Sequence, residues 1–441
     1  MSRKRERIIQ KREKNAIVEC NRIQRQFYPE LFSKFEEVKD PRHSSYIEYS
    51  GKEMLGTLYY KGIAGLPSMQ EMTRKFNDEL VASNLYHFMR SETKEFMPHG
   101  VTLNEYLERV EPKELEKIQK DLVYKMIRRK TFHEATVLKK WLILIDATEL
   151  DEDFTQKNEY YLRRVYNRGE ENEFVKYHRS VLEAKIYFGN NLVCSAATET
   201  IENSEQYNEK RKGAQAVKQD CESSAFVRLA EKLKKNFPRL PICIVADGLY
   251  VNKKVIQTCN SYGWDYLIRY KEGCASSIKE EYEALPEKNS LLGVEYVNGL
   301  VFGKEEINVL NYTERKVKAK KEIITNFTWI TNIEITNKNA QKLVNAGRSR
   351  WKIENQGFNR QKHWQGNIEH ACSFHEKAQK NHYLMEQISD FIKQLYEYFF
   401  LKKQEIKKLQ KNISSDLLAS FGRQLTREDI SRFDMQGISQ T

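Results

Sequence analysis

Two short, wholly apolar runs constrain this chain most: residues 141–145 (WLILI) and 242–246 (ICIVA), each followed at once by an aspartate, Asp146 and Asp247. Unbroken apolar runs of this length read as strands buried on both faces, because a strand with one wet face alternates. Residues 180–188 and 192–200 read as two more strands, joined by the turn Gly189-Asn-Asn191. Helices follow at 222–236, closed by Pro238, and at about 252–261, and then a strand at 266–270. From about 271 to 326 the alternating stretches 293–301, 306–312 and 321–325 predict antiparallel strands that interrupt the main fold; 327–331 is a further strand, and a long helix covers 337–362. Strands joined by short connections pair antiparallel, whereas those alternating with helices pair parallel. The expected fold is therefore α/β, a mixed sheet flanked by helices with a β-rich insertion.

Helical sequence lies on both sides of this core. Residues 1–26 hold nine Lys/Arg against three Glu and no proline or glycine, which suits an arm along phosphates or a solvated basic helix. From 53 to 89 the pattern is helical, with the turn Gly62-Ile-Ala-Gly65-Leu-Pro67, a capping signature at Ser68 and Glu71, and a second cap at Asp78. This permits a helix-turn-helix in which Arg74 and Lys75 face DNA, or a plain helical packing module. A charged helix at 111–129 leads into the core, and 377–441 reads as a charged amphipathic helical tail. The expected organisation is an N-terminal DNA-binding or dimerisation region (1–135), a catalytic domain (136–376) and a C-terminal helical region (377–441). With 74 Lys/Arg against 62 Asp/Glu the net charge is +12, which favours a polyanionic partner. The 40% hydrophobic and 31% charged composition excludes a disordered tail or a membrane bundle. No run approaches the ~18 apolar residues of a membrane span. The seven cysteines are widely spaced without a C-x-x-C, so the expected location is a reducing cytoplasm.

Asp146 and Asp247 sit where apolar runs stop, and the carboxyl ends of strands are where open α/β sheets bind ligands. Either alone serves equally as a cap or turn residue. Two carboxylates on neighbouring strand ends, however, repel unless protonated or bridged by a cation. Between 342 and 362 six cations (Lys342, Arg348, Arg350, Lys352, Arg360 and Lys362) surround one acid, Glu354. Val344, Trp351 and Phe358 recur every seven residues and predict an apolar stripe that docks this helix on the sheet, with Glu354 beside it. The plain alternative is an ordinary i,i+4 ion pair between Arg350 and Glu354. Three carboxylates form a hard oxygen donor set suited to Mg²⁺ or Mn²⁺. Two such ions serve in-line phosphodiester displacement, and Arg348, Arg350, Lys352, Arg360 and Lys362 are the candidates for the DNA backbone. His370-x-Cys372-x-x-His375 lacks an evident fourth zinc ligand. Phosphate-loop, dinucleotide and nucleophile-elbow motifs are missing from the sequence.

The segments LILIDAT, ICIVADGLY and GRSRWKIENQGFNRQKHW make the chain resemble bacterial insertion-sequence DDE transposases over roughly 135–390, and KNHYLMEQISDFIKQLYE is similar to the helix after their catalytic Glu. The resemblance implies a ribonuclease H-like catalytic domain in which Asp146, Asp247 and Glu354 hold two Mg²⁺ or Mn²⁺ ions. It also implies binding to terminal inverted repeats, cleavage at the element ends and joining of the 3′-hydroxyls to target DNA. A homodimer on paired ends, in the cytoplasm with the nucleoid, is part of the same expectation. One subgroup carries a Y-(2)-R-(3)-E-(6)-K signature; Arg350 and Glu354 match it, while Gly347 stands at the Tyr position and Gln361, next to Lys362, at the Lys position. Trp329 and Trp364 are candidates to stack on an extruded base. A nuclease without strand transfer and an inactive DNA-binding protein are the alternatives.

Overall fold

A computed structural model describes residues 15–203, 218–271, 273–286, 288–291, 293–318 and 321–434. The cations from Arg3 to Lys14 of the expected arm and most of the polar stretch 201–219 lie outside the described residues. Along the chain come α1 (Ala16–Phe27), α2 (Leu31–Glu36), α3 (Gly51–Ala64), α4 (Met69–Phe76), α5 (Glu79–Met89), α6 (Gly100–Arg109) and α7 (Pro112–Ile127). They precede β1 (Trp141–Asp153), β2 (Leu162–Tyr166), β3 (Phe174–Tyr187) and β4 (Val193–Ile201). Next are α8 (Glu222–Asn236), β5 (Ile242–Ala246), α9 (Lys253–Ser261), β6 (Asp265–Tyr270), α10 (Ser276–Ala284), β7 (Asn289–Leu291), β8 (Val294–Phe302), β9 (Glu305–Lys318) and β10 (Lys321–Thr331). The chain continues through α11 (Ala340–Arg348), a π-helical turn (Ile353–Phe358), α12 (Asn359–His363), α13 (Glu376–Tyr396), α14 (Gln410–Phe421) and α15 (Arg427–Asp434).

These elements form two compact units, one of residues 130–148 and 180–357, the other of 1–129, 149–179 and 358–441. The first holds most of a ten-stranded sheet, in the order β2-β3-β1-β5-β6-β10-β9-β8-β7 with β4 also paired to β3. β1, β5 and β6 run parallel, as strands alternating with helices must, while β10, β9 and β8 are antiparallel hairpin neighbours. This is the expected mixed sheet flanked by helices. The β-rich insertion extends its β6 edge, and 321–325 and 327–331 are one strand, β10. Residues 141–145 are buried throughout, as the unbroken run predicted, but β1 continues to Asp153, so Asp146 lies within a strand rather than at its end. On α8, Ala225, Phe226, Leu229, Ala230 and Leu233 form the buried stripe; on α11 it is Leu343, Val344 and Ala346.

The expected long helix over 337–362 is broken. α11 stops at Arg348 and a turn at 349–350 breaks the phase before Trp351, so the seven-residue rule fails: Val344 and Phe358 are buried but Trp351 is 51% exposed. Ile353, fully buried, takes the core position instead.

The other unit is mainly helical and takes in β2 with the end of β1 and the start of β3. Ser68 and Asp78 cap α4 and α5 through their side chains, as predicted. The described part of the basic arm is a packed helix: most of α1 is buried, Arg22 pairs with Glu19 at 2.9 Å, and the Arg25 guanidinium lies 3.5 Å from the centre of the Phe433 ring. The C-terminal segment is likewise no peripheral tail. α13 is buried along nearly its whole length, and its polar side chains are bonded inside; Asn381, for example, donates to the carbonyls of Leu107 and Val110 at 2.9 and 2.8 Å. Among the described residues no helix is long and apolar enough to cross a membrane.

Candidate active site

Strand register brings the two aspartates together. β1 and β5 pair in parallel from Trp141↔Ile242 to Leu144↔Val245, an offset of 101 residues that also separates Asp146 from Asp247. Both lie two positions past the last pair. Adjacent strands are ~4.8 Å apart, and residues of equal parity share a face, so the two carboxylates are neighbours. Asp247 caps the short 3₁₀ turn Gly248–Tyr250, its Oδ1 accepting the Leu249 N–H at 2.9 Å. Burial pushes Asp146 up to about 6; Arg350 opposes this, and the charges of Asp247 and Glu222 add to it.

Glu354 arrives on the π-helical turn. Such turns occur mostly as single insertions in helices, frequently at functional sites. Arg350 joins the two parts of the site: its Nη1 donates to Asp146 Oδ2 at 3.0 Å, and its Nη2 lies 3.7 Å from Glu354 Oε2. The i,i+4 pair read as the plain alternative is thus present, but the shorter contact reaches across to Asp146. Beneath, the guanidinium carbon sits 4.7 Å from the centre of the exposed Trp351 ring, a cation–π arrangement.

A fourth carboxylate, Glu222, escaped the sequence reading. It stands in the first turn of α8, where an acid is unremarkable on macrodipole grounds. Its Oε2 accepts the Tyr250 hydroxyl at 2.9 Å, and burial followed by the charge of Asp247 raises its proton affinity. Nothing in its spacing marked it.

The remaining candidates fall in different places. Arg348 pairs with Glu314 and lies over the Phe327 ring, 4.8 Å from its centre, and Lys352 Nζ donates to Asn191 Oδ1 at 2.7 Å. In the helical unit, Lys362 pairs with Glu369 at 2.7 Å, and Arg74 and Lys75 are exposed on α4. Arg360 is a correction. Its side chain is 2% exposed and held by Asp390 and Glu397, which keep it charged and leave no face for a phosphate. Trp329 is core, whereas Trp364 is 43% exposed.

The two departures from the signature have local reasons. A Cβ on Gly347 would lie 2.5 Å from Cε2 and Nε1 of Trp329, so the indole fills the space a tyrosine would need. Gln361 is buried and donates to Gln387 Oε1 and Asp390 Oδ2, both at 2.9 Å.

Among the described residues no three His, Cys, Asp or Glu side chains are gathered closely enough to hold a metal, and this includes His370, Cys372 and His375. Between Asp146 and Glu354 the Arg350 guanidinium supplies the positive charge instead. The donors themselves, carboxylate oxygens with an excess of negative charge around Asp146, fit a hard divalent cation.

Residues 216–380 match the family model described as transposase DDE domain, a segment that contains Asp247 and Glu354 and begins after Asp146. No curated protein sequence matches the chain. Among solved structures, the piggyBac transposase synaptic complex with hairpin DNA is similar at 11% identity, covering 93% of this chain and 80% of that one, with a TM-score of 0.43. The segment 216–380, with its Asp247 and Glu354, is thus similar to a transposase DDE domain.

Proposed function

We propose that the chain is a DNA transposase that binds the terminal inverted repeats of its element, cuts the strands at the ends and joins the freed 3′-hydroxyls to target DNA. The observation that carries this is the strand register that brings Asp146 beside Asp247, with Glu354 tied to the same point through Arg350, in a chain whose residues 216–380 match a transposase DDE domain. Asp146 and Asp247 would hold one Mg²⁺ or Mn²⁺ ion, and Glu354 would complete a second site. Ions so held would supply activation of an attacking water or hydroxyl and stabilisation of the leaving oxygen. The chain's own residues supply the rest. Arg350 is a fork of donors shaped for a phosphate and already placed at the carboxylates. Lys352 and Arg348 flank it on the same segment, and Lys362, Arg74 and Lys75 in the helical unit are proposed as further DNA contacts. Two ends must be processed together, so a homodimer on paired ends is part of the proposal.

The test uses the purified chain, Mg²⁺ and DNA carrying labelled element ends. Cleaved and joined products are expected, and Asp146→Ala, Asp247→Ala and Glu354→Ala should each reduce both to background. Cleavage without joining would favour the nuclease alternative, and rearrangement unchanged in Asp146→Ala would overturn the proposal.

A further inference from the structure

We infer that Glu222 is a positioning residue of this centre, which through the Tyr250 hydroxyl holds the turn that presents Asp247. The inference rests on the transposase reading above and extends it to a residue outside the expected triad.

The turn needs an anchor. β5 ends at Ala246, and Asp247 opens a three-residue 3₁₀ turn whose middle residue, Leu249, is 69% exposed. One side of the turn therefore faces solvent. Its inner side is fastened by Tyr250, 1% exposed, whose ring lies 5.9 Å from that of Phe226 on α8. The phenol oxygen is then within hydrogen-bond distance of one acceptor, Glu222 Oε2 at 2.9 Å, one helical turn back on the same helix. Glu222 and Phe226 are four residues apart and thus share a face of α8, so one helix face grips both the ring and the hydroxyl. Asp247 spends its Oδ1 on the Leu249 N–H, which orients the carboxylate within the turn but does not tether the turn to the domain. Tethering falls to the Tyr250–Glu222 hydrogen bond. The link to Asp247 runs through the backbone, Tyr250 N–H donating to the Asp247 carbonyl at 3.2 Å; loss of a group hydrogen-bonded to a metal ligand itself costs about 10- to 100-fold in metal affinity, the scale against which this more remote tether is measured.

A hydrogen-bonding role and a role for the negative charge itself separate on substitution. Glu222→Ala removes the acceptor, Tyr250→Phe removes the donor with almost no change in packing, and Glu222→Gln removes the charge but keeps a carbonyl to accept the hydroxyl. On the full chain, Mn²⁺ binding is measured by titration calorimetry, melting temperature by scanning calorimetry, and cleavage of labelled end DNA by single-turnover kinetics. Glu222→Ala and Tyr250→Phe should each weaken Mn²⁺ about tenfold or more and slow cleavage at saturating DNA, leaving the DNA concentration for half-maximal rate unchanged. Glu222→Gln should recover most of what Glu222→Ala loses. The inference is overturned if Tyr250→Phe binds Mn²⁺ like the unaltered chain, or if Glu222→Gln loses as much as Glu222→Ala. Should Glu222→Ala fail to fold, Tyr250→Phe decides alone. Unaltered protein that binds no Mn²⁺, or binding that survives Asp146→Ala, would overturn the transposase reading and this inference with it, a result distinct from Glu222 variants that fail to respond in a chain that does bind.

Discussion

Asp146 binds its proton more tightly in the folded chain than a free aspartate does, because burial outweighs the opposing pull of Arg350 and the neighbouring Asp247 and Glu222 charges add to it, up to about 6 against an ordinary 3.8. A carboxyl with a raised folded pKa stabilises the fold fully below its unfolded pKa, and that contribution disappears as pH rises through the folded one. Asp146→Asn should therefore raise the melting temperature at pH 8, by a stability gain on the order of 2 kcal/mol, and the difference should vanish near pH 4. Scanning calorimetry across that range checks it; a gain that is constant with pH would show that Asp146 is not strained by its charge. The same ionisation is required of a metal ligand, so divalent-ion affinity should fall as pH drops below about 6. Asp146 and Asp247 were legible in the chain because each terminates an apolar run. Glu222 was not, since its significance lies only in the hydroxyl it meets.

The segment 340–363 shows how an element differs from its sequence pattern. Apolar residues every seven predicted one continuous helix, yet α11 ends at Arg348 and the turn at 349–350 comes before Trp351, which is left turned outward. That outward turn is what lets Trp351 lie beneath Arg350. Gly347, one turn earlier, abuts Trp329 so closely that Gly347→Ala should destabilise the chain by about 1–3 kcal/mol through overpacking. Denaturant unfolding measures this, and a neutral substitution would mean that the indole can move aside. Restoring the signature tyrosine at this position should be worse than alanine, because the ring it would displace is core. By contrast the caps at Ser68 and Asp78, and the bounds of α8 and β5, follow from local chemistry and match the prediction closely.

At the scale of the molecule, the proposed binding to DNA, with a surplus of +12 charges, should fall steeply with salt. Filter binding or fluorescence anisotropy on repeat DNA should give a linear fall of log affinity with log salt. Lys352→Ala should reduce that slope by about one, whereas a flat response would remove the basic face from the proposal. The cations do not contribute alike, however. Counted along the chain, Arg360 belongs to the same basic run as Arg350; in the fold it is interior, because α13 sets Asp390 and Glu397 against it. Most strands and the parallel pairing of β1, β5 and β6 were legible in the chain, since apolar runs, turns and connection lengths act locally, while β2 and the extension of β1 past Asp146 were not. Tertiary packing decided which cations are free, that a helix called a tail is core, and that Arg350 and Glu222 share the aspartates' surroundings. Those outcomes depend on groups far apart in sequence meeting in space, and neither periodicity nor spacing records them.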